Sequence, residues 1–404
     1  MKILLINKYH YVKGGSDRVY FNTGSLLQSN GHDVAYFSTE HPDNLDCLYS
    51  VSFVSYRDNR KSGFIQKIKN SAAYLYNKEA SAKLGELIDK FHPDIAHLNL
   101  FYGDLSASIL LKLREKRIPV VHTVHDYKLI CPANSLLDAD SAICEKCINR
   151  AYYQCTIKKC MEGNLSYSIM LTAEAYGRKY LIDPLNYIDR FIFVSKFAES
   201  KHIEFDKRFA AKADHLYNFT FLTQMTKQDK REKYLLYYGR LVREKGILTL
   251  LEACKTLRVQ LKIAGTGPLE KVVSQVSSQY SNIQYLGYTS GEELTRLIQD
   301  SYFVVVPSEW YENNPMTVIE AYAEGVPVIA ARIGGIPEIV LDSKTGFLFQ
   351  TGDDEDLKKT VIKAMALSLE DYNSLSLEAM KFAVTQFSPE QHYKGLMNIY
   401  QGVI

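Results

Sequence analysis

The sequence predicts an α/β protein with doubly wound parallel sheets, and two observations lead to this prediction. Short apolar runs rich in β-branched residues recur along the chain, and helical patterns separate most of them. Such alternation is typical of parallel sheets whose crossover connections are helices. A polar stretch without strong periodicity, residues 220–233, divides the runs into two sets. We therefore expect two Rossmann-like halves joined by a linker, because a single sheet of all ten strands would be large.

Each predicted strand is a buried apolar run. The first half contains KILLIN, DVAYFS, DIAHLN, PVVHTV and RFIFVS, and the second contains YLLYYG, VQLKIAG, NIQYLG, YFVVVPS and VPVIAA. Helical patterns between them include SDRVYFNTGSLLQSNG and LSASILLKLREKR. The expected domains are residues 1–219, residues 220–386 and a terminal helix at 387–404 that packs back on the N-terminal domain. Ser388 is the predicted cap of that helix, and Pro389 its first residue.

The composition excludes several classes of protein. Lysine and arginine together number 48 against 46 acidic residues, so no global charge favours nucleic acid. The apolar run Ile3–Ile6 is shorter than the core of a signal peptide, and no run approaches the length of a membrane span. These features predict a cytoplasmic protein. Its seven cysteines are then expected to be thiols or metal ligands rather than disulfides.

The loop after the first predicted strand contains a Gly-Gly pair. Gly14 and Gly15 precede Ser16 and Asp17, which can cap the following helix. Glycines allow a ligand to approach the backbone closely, and a helix N-terminus attracts anions. An ordinary strand-to-helix turn explains the same residues. The loop lacks the GxGxxG pattern, which weakens an NAD-binding interpretation.

Cations follow the first strand of the second half. Arg240 and Lys245 come after Gly239 in YYGRLVREKGILTLLEA. An arginine fork and a lysine point charge together suit a diphosphate. Ordinary surface charge is the alternative, and the position directly after a strand makes it less attractive.

Two glutamates flank the start of a predicted helix in SEWYENNPMTVIEAYAEG. Glu312 lies in the loop above a buried strand, and Glu320 lies inside the helix. Asn314 is expected to cap this helix, Pro315 to occupy its first position and Gly325 to end it.

Backbone amides near Met316 and Thr317 lie between the two glutamates. Such amides can hold an anion while each carboxylate accepts hydrogen bonds from hydroxyl groups. A nucleotide sugar has this pattern, because its diphosphate lies between a ribose and a sugar. A solvated helix face beside a loop acid is the alternative.

Five motifs follow one another in a fixed order: the Gly-Gly loop, GRLVREKG, AGTGPLE, E-x7-E and GGIPEIV. In this combination the chain resembles the retaining family 4 glycosyltransferases of the GT-B fold, most strongly over residues 237–349. The resemblance implies two Rossmann-like domains that face each other across a cleft. It also implies transfer of a sugar from a UDP- or GDP-linked donor to an acceptor hydroxyl, with retention of configuration and without a catalytic cofactor.

The resemblance also implies roles for residues at the matched positions. Glu320 would bind the ribose, and Glu312 would contact the transferred sugar. The implied residues at the phosphates and the donor sugar are Arg240, Lys245, Gly14, Gly15, Met316, Thr317 and His125. The mechanism that the family implies is front-face attack in which the leaving phosphate helps to deprotonate the acceptor, so no dedicated base is assigned. His122 lies two residues before His125 and has a neutral core histidine as its alternative interpretation.

The loop at residues 131–160 contains five cysteines. Cys144, Cys147, Cys155 and Cys160 form C-x2-C-x7-C-x4-C, and four thiolates can close a structural zinc site. Free thiols or a redox pair are the alternatives. Four protein ligands would leave no open position, so such a zinc would not be catalytic. The DAD triplet at residues 138–140 is similar to the metal-binding DxD of another transferase fold, and we interpret it as a chance match.

Basic and apolar residues interleave at residues 57–83. Such a segment can lie on an anionic membrane, and a solvated helix packed on the core is the alternative. The resemblance implies a glycan or lipid-linked acceptor, surface polysaccharide or glycolipid assembly, and a location at the inner face of the cell membrane.

Two other functions fit parts of the pattern. A nucleotide-sugar epimerase can share the two-domain fold and would turn over the donor without an acceptor. A non-catalytic scaffold that binds nucleotide or zinc would bind the donor without releasing nucleotide.

Overall fold

The computed structural model describes residues 1–56, 73–74, 76–161, 163–222 and 231–404. The chain divides into two compact units, one formed by Met1–Leu216 with Tyr393–Ile404 and the other by Tyr217–His392. Most of the basic segment at 57–83 and most of the predicted linker at 220–233 lie outside the described residues.

The first unit contains a six-stranded, entirely parallel sheet of order β2-β1-β3-β4-β5-β6. Its strands are β1 (Lys2–Ile6), β2 (Asp33–Phe37), β3 (Ile95–Leu98), β4 (Val120–Val124), β5 (Arg190–Phe193) and β6 (Ala213–His215). Its helices are α1 (Gly15–Ser29), α2 (Lys78–Phe91), α3 (Ser108–Glu115), α4 (Tyr153–Ile157), α5 (Leu165–Tyr180) and α6 (Lys196–Phe205). Buried apolar strands and helices with one apolar face produce this layered arrangement.

The second unit contains another six-stranded parallel sheet, of order β12-β11-β10-β7-β8-β9. Its strands are β7 (Tyr234–Tyr238), β8 (Gln260–Ala264), β9 (Ile283–Gly287), β10 (Phe303–Val306), β11 (Val328–Ala331) and β12 (Gly346–Phe349). Its helices are α7 (Ile247–Lys255), α8 (Glu270–Gln279), α9 (Gly291–Asp300), α10 (Met316–Ala323), α11 (Ile336–Ile339), α12 (Asp354–Met365) and α13 (Leu369–Gln386).

The two Rossmann-like sheets confirm the predicted fold class. All ten predicted strands are present, and they form two sheets rather than one. Two strands were missed, β6 and β12, and both are at the edge of a sheet. β6 has the sequence ADH, without an apolar run, and β12 has an apolar run of only three residues after its glycine, so neither shows the run that identifies a buried strand.

The last helix, α14 (Pro389–Gln401), begins at the predicted residue. The Ser388 hydroxyl accepts a hydrogen bond from the Gln391 amide, as expected of a cap. Leu396 and Tyr400 lie fully buried in the core of the first unit. The Tyr400 hydroxyl is 2.6 Å from Nδ1 of His97 in β3, so a polar contact as well as apolar packing fixes this helix.

The order of each sheet defines where a ligand is expected. In doubly wound sheets, ligands bind beyond the carboxyl ends of the strands, where the strand order reverses. In the second sheet this point lies between β7 and β10, and in the first between β1 and β3. Among the described residues, none of the helices is long and apolar enough to cross a membrane.

Candidate functional site

An ion pair between a half-buried lysine and a buried glutamate lies where the strand order of the second sheet reverses. Lys245 belongs to the connection after β7, and Glu312 to the connection after β10. The Lys245 ammonium donates to Oε1 of Glu312 over 2.6 Å. The same oxygen accepts hydrogen bonds from Ser308 Oγ at 2.7 Å and Trp310 Nε1 at 2.8 Å. Three donors therefore hold one carboxylate oxygen in place.

The surroundings of Glu312 keep it ionised. Burial alone raises its pKa, since the side chain is 7% exposed. The charge of Lys245 and the three hydrogen bonds outweigh burial, so the pKa lies below its ordinary value. Lys245 also lies over the Trp310 ring, 5.2 Å from its centroid. The pair is a fixed arrangement of charge rather than a mobile surface contact.

Two glycines determine how closely these loops pack. Gly246 follows Lys245 with φ +69°, and a Cβ there would overlap the carbonyl oxygen of Pro307 at the end of β10. Gly334 has φ +59°, and a Cβ there would overlap the backbone of Glu312. The neighbouring Gly335 amide donates to the Glu312 carbonyl over 2.7 Å. The GGIPEIV motif thus supports the Glu312 backbone from a third connection, the one after β11.

Glu320 has a less enclosed position on α10. The side chain is half-buried, and its Oε2 accepts from the Tyr238 hydroxyl at 3.1 Å. Tyr238 is the last residue of β7, and its hydroxyl is also 3.1 Å from the Thr317 carbonyl. Glu320 is therefore tied to the same edge of the sheet as Lys245 and Glu312.

The start of α10 differs from the prediction by one position. Pro315 is the cap residue, and Met316 is the first residue of the helix. Asn314 does not cap, because its Oδ1 accepts the Asn218 amide over 2.8 Å instead. The first helical hydrogen bond joins the Val318 amide to the Pro315 carbonyl. The Met316 and Thr317 amides precede that bond, as the prediction requires. Gly325 ends the helix with φ +66°, as expected.

Arg240 lies on the same connection as Lys245 but is much more exposed. Its guanidinium is 3.8 Å from Glu244, and 58% of the side chain is accessible. Its carbonyl accepts a hydrogen bond from the Tyr237 hydroxyl over 2.8 Å, so the backbone is fixed although the side chain is not.

In the first unit, Gly15 is the first residue of α1 and Gly14 precedes it. The expected caps differ, because Ser16 and Asp17 both lie within the helix. Asp17 nevertheless accepts the Gly14 amide over 3.0 Å, and its other oxygen accepts from Asn7 Nδ2 over 2.9 Å. Burial raises the pKa of Asp17 against these hydrogen bonds.

His125 and His122 have different surroundings after β4. Nε2 of half-buried His125 is 2.9 Å from Oδ1 of Asn99, the residue that follows β3. Asn99 is buried, and its Nδ2 has no hydrogen-bond partner in the part of the chain that the structure describes. His122 is buried, with Nδ1 3.1 Å from the Leu98 carbonyl, and burial lowers its pKa to about 3. His122 is therefore a neutral core histidine.

The cysteines of the loop influence one another electrostatically. Interaction with the Cys160 thiol lowers the pKa of the Cys155 thiol to about 7. Cys147 interacts electrostatically with Cys131, Cys155 and Cys144. Cys131 was not among the predicted ligands. Within the described residues, no group of three or more His, Cys, Asp or Glu side chains has an arrangement that could hold a metal ion.

The sequence did not identify the residues that form hydrogen bonds with the predicted site residues. Ser308 and Trp310 lie within the stretch that identified Glu312, and Trp310 is the single tryptophan of the chain. Tyr238 and Asn99 each stand at or just after the end of a strand. Position at a strand end was the available signal, but a tyrosine or asparagine there usually has only a structural role.

Family models match nearly the whole chain. The model described as Glycosyltransferase Family 4 matches residues 13–220, and the model described as Glycosyl transferases group 1 matches residues 219–382. The protein is therefore a glycosyltransferase, an enzyme of the GT-B fold. It belongs to the family that these two models describe.

Curated relatives agree with this assignment. A 42.6 kDa protein in the cps region of Klebsiella pneumoniae is 25% identical, over 84% of this chain and 87% of its own. The uncharacterized glycosyltransferase MJ1178 of Methanocaldococcus jannaschii is 28% identical, over 58% of this chain and 66% of its own. The putative colanic acid biosynthesis glycosyltransferase WcaL of Salmonella typhimurium is 25% identical, over 42% and 45%.

Solved structures share the fold. The sucrose-phosphate synthase of Thermosynechococcus elongatus has a TM-score of 0.70 at 19% identity, covering 99% of this chain and 98% of its own. Anabaena HepE in complex with UDP-glucose has a TM-score of 0.65 at 14% identity, covering 99% and 100%.

Proposed function

We propose that this enzyme is a retaining glycosyltransferase of family 4. It would transfer a sugar from a nucleoside diphosphate donor, linked to UDP or GDP, to a hydroxyl of a glycan or lipid-linked acceptor. The observation that carries the proposal is the Lys245–Glu312 pair, which lies where the second sheet reverses its strand order. Relatives from a cps region and from colanic acid biosynthesis support a role in surface polysaccharide or glycolipid assembly.

The diphosphate is the first group that the site must recognise. We assign it to Lys245, to Arg240 and to the amides of Met316 and Thr317. The exposed Arg240 side chain can move to a phosphate with little loss of packing. Fixed cations and amides stabilise the negative charge that grows on the departing phosphate, and they do so without a metal.

The hydroxyl groups of the ribose and of the transferred sugar are the second set of groups that the site must recognise. We assign the ribose to Glu320, whose half-buried carboxylate is oriented by Tyr238. Glu312 is assigned to the transferred sugar. Its ionised state suits this role, because a carboxylate accepts hydrogen bonds from hydroxyls and stabilises positive charge that develops on the sugar ring. Gly14, Gly15 and His125 are assigned to the donor as binding residues of the first unit.

The reaction exchanges one bond for another at the anomeric carbon. The bond to the acceptor oxygen forms as the bond to the phosphate oxygen breaks. The acceptor proton passes to an oxygen of the leaving diphosphate on the same face, so the configuration is retained. Lys245 compensates the charge on the diphosphate while this happens.

Ligand-dependent stability identifies the donor. A panel of UDP- and GDP-sugars is added, and the midpoint of thermal unfolding is recorded, because a ligand that favours the folded state raises it. UDP-glucose belongs in the panel because HepE, which shares the fold, was solved with it. The donor found is then incubated with and without acceptor glycans while nucleotide release is followed.

The outcome separates the three functions. A transferase releases nucleotide only when an acceptor is present, apart from slow hydrolysis. Conversion of the donor to an epimer without an acceptor would establish the epimerase, and binding without any release would establish the scaffold.

We also propose that the cysteine loop binds one structural zinc ion through Cys144, Cys147, Cys155 and Cys160. The C-x2-C-x7-C-x4-C spacing supports this, because four cysteine thiolates can close a tetrahedral site. Binding would draw the four thiolates together around the ion.

Metal analysis of protein purified without chelators tests the zinc proposal. About one zinc per chain is expected. Cys147→Ser should lower it and speed proteolysis of the loop, whereas Cys47→Ser, which lies outside the loop, should change neither. Metal-free protein in which all the thiols of the loop react freely would reject zinc.

A further inference from the structure

Helix α5 has an unusual distribution of charge. Its exposed positions include Leu165, Ile169 and Tyr180, whereas its ionised residues Glu174 and Arg178 are buried and Lys179 is half-exposed. Glu174 is 2.5 Å from Arg178 and 2.9 Å from Lys128, so the charges are paired inside the first unit. A helix whose outer side contacts only water normally exposes its charged side chains and buries its large apolar ones.

A second helix extends this surface. α4 packs beside α5, since the Thr156 and Thr172 hydroxyls are 2.8 Å apart. It adds Tyr153 and Ile157, which are 50% and 65% exposed, and Leu181 follows α5 at 77%. We define the apolar face as Tyr153, Ile157, Leu165, Ile169, Tyr180 and Leu181. Large apolar side chains that are exposed on neighbouring helices are typical of a surface that binds another protein or a membrane.

Lysines border the apolar face. Lys158 and Lys159 are exposed at the end of α4, and the Lys179 ammonium lies 5.1 Å from the centroid of the Tyr180 ring. Glu174 is the acidic residue of α4 and α5, and it is buried with its two cations. The surface therefore presents apolar side chains, tyrosines and positive charge together.

We propose that the apolar face docks on the surface of an anionic lipid bilayer. Leucine and isoleucine side chains would enter the interface, and tyrosines suit the boundary between apolar chains and water. The lysines would lie at the level of the anionic head groups. Charge complementarity favours a bilayer over a second copy of the chain, because a symmetric pair would place these lysines opposite each other.

This docking surface differs from the segment at 57–83, and it holds independently of the transfer reaction. It gives the insertion between β4 and β5 a role beyond structural support. An enzyme held in this way would meet lipid-linked acceptors at the bilayer surface.

Vesicle flotation tests the proposal with the full chain. The vesicles contain phosphatidylcholine alone or with about 30% phosphatidylglycerol. The wild type should float with the anionic vesicles at low ionic strength and be released at high ionic strength. Ile169→Glu and the double variant Lys158→Ser/Lys159→Ser should each lower the bound fraction at least about tenfold.

A matched control is available in the second unit. Ile362 on α12 is 53% exposed, close to the 50% of Ile169, so Ile362→Glu introduces the same charge at a similar position on a helix. It should bind vesicles like the wild type. Equal unfolding temperatures establish that the variants are folded, and nucleotide release with a soluble acceptor should be unchanged in all of them.

Three results would overturn the proposal. The wild type could fail to float with anionic vesicles, or Ile362→Glu could lose binding as strongly as Ile169→Glu. A dimer in solution that Ile169→Glu converts to monomers would assign the apolar face to a second copy. None of these results bears on donor binding, so they leave the proposed transferase function to its own test.

Discussion

At the carboxyl edge of the second sheet a half-buried ammonium is paired with a buried carboxylate, whereas at the edge of the first sheet a histidine faces an uncharged amide. Both sheets are six-stranded and parallel, so the architecture does not cause the difference. The loops do. The second edge fixes an ion pair with two further donors and closely packed glycines, whereas at the first edge His125 lies against the neutral Asn99 amide.

The two edges are suited to different tasks. Charge develops on the diphosphate during transfer, so a site that stabilises it benefits from cations that are already in position. Neutral hydroxyl groups need only directed donors and acceptors. We therefore expect changes at the second edge to affect turnover more than changes at the first.

Replacing Lys245 should have the largest effect. Lys245→Ala removes a cation from the leaving group, and turnover should fall by about 100-fold or more. It also leaves Glu312 buried without its partner, so the folded protein loses stability. Steady-state kinetics and urea unfolding measure the two effects separately.

The double variant Lys245→Ala/Glu312→Gln distinguishes chemistry from stability. It removes both charges, and stability should recover while turnover stays low. Recovery of turnover together with stability would show that Lys245 acts only through folding. Arg240→Ala, on the exposed side chain, should slow turnover less than Lys245→Ala and leave stability unchanged.

Replacing Glu320 should have the next largest effect, on donor affinity. Glu320→Ala loses hydrogen bonds to the ribose, which corresponds to about 1–3 kcal/mol or roughly ten- to hundredfold in Kd. Calorimetric titration with the nucleoside diphosphate gives the value. Tyr238→Phe keeps the carboxylate and serves as the control, with a smaller loss. Donor affinity that is unchanged in Glu320→Ala would remove this residue from the site.

Asn99 should matter less, and only for turnover. Asn99→Ala removes the amide oxygen that lies 2.9 Å from Nε2 of His125, and we expect about a tenfold loss in kcat, since small errors of position are costly. The affinity for the nucleoside diphosphate alone should not change, because the residues assigned to its diphosphate and ribose lie mainly in the second unit. A parallel loss of affinity would point to a general disturbance of the fold.

The fold could be predicted because apolar runs of strand length alternate with helical patterns throughout the chain. The strands that escaped prediction, β6 and β12, are short and have no apolar run of more than three residues. The start of α10 was misplaced because of a contact that is distant in sequence. Asn314 is a good capping residue, but the Asn218 amide, 96 positions away, takes its side chain.

The candidate site was predicted as single residues, but not as an arrangement. Lys245 and Glu312 were assigned to different groups of the substrate, and nothing in their spacing of 67 positions indicates that they form an ion pair. Likewise, Gly334 could be recognised within GGIPEIV, but its contact with the Glu312 backbone required the fold. Contacts between connections of different strands depend on strand order, which a single sequence does not reveal.

The smallest effect is a pH dependence of stability. The pKa of Glu312 is held below its unfolded value, which is ordinarily about 4.3. Its ionisation therefore stabilises the folded state above about pH 4.3, and this contribution is lost as the pH falls through the lower folded value.

The comparison with Glu312→Gln isolates that contribution. The difference in the free energy of unfolding between the two proteins should be constant near neutral pH and shrink below about pH 4. Other carboxylates cancel in the difference. A difference that grows as the pH falls would mean that Glu312 is protonated in the folded protein.

The location of the nucleotide tests the central claim most directly. Hydrogen exchange is measured by mass spectrometry with and without the nucleoside diphosphate that the thermal panel selects. Bound ligand should slow exchange at residues 239–246 and 313–320, because the diphosphate would contact the amides of Met316 and Thr317 and the loop of Lys245. Binding that protects neither segment, or protects only other parts of the chain, would contradict a donor site at the edge of the second sheet.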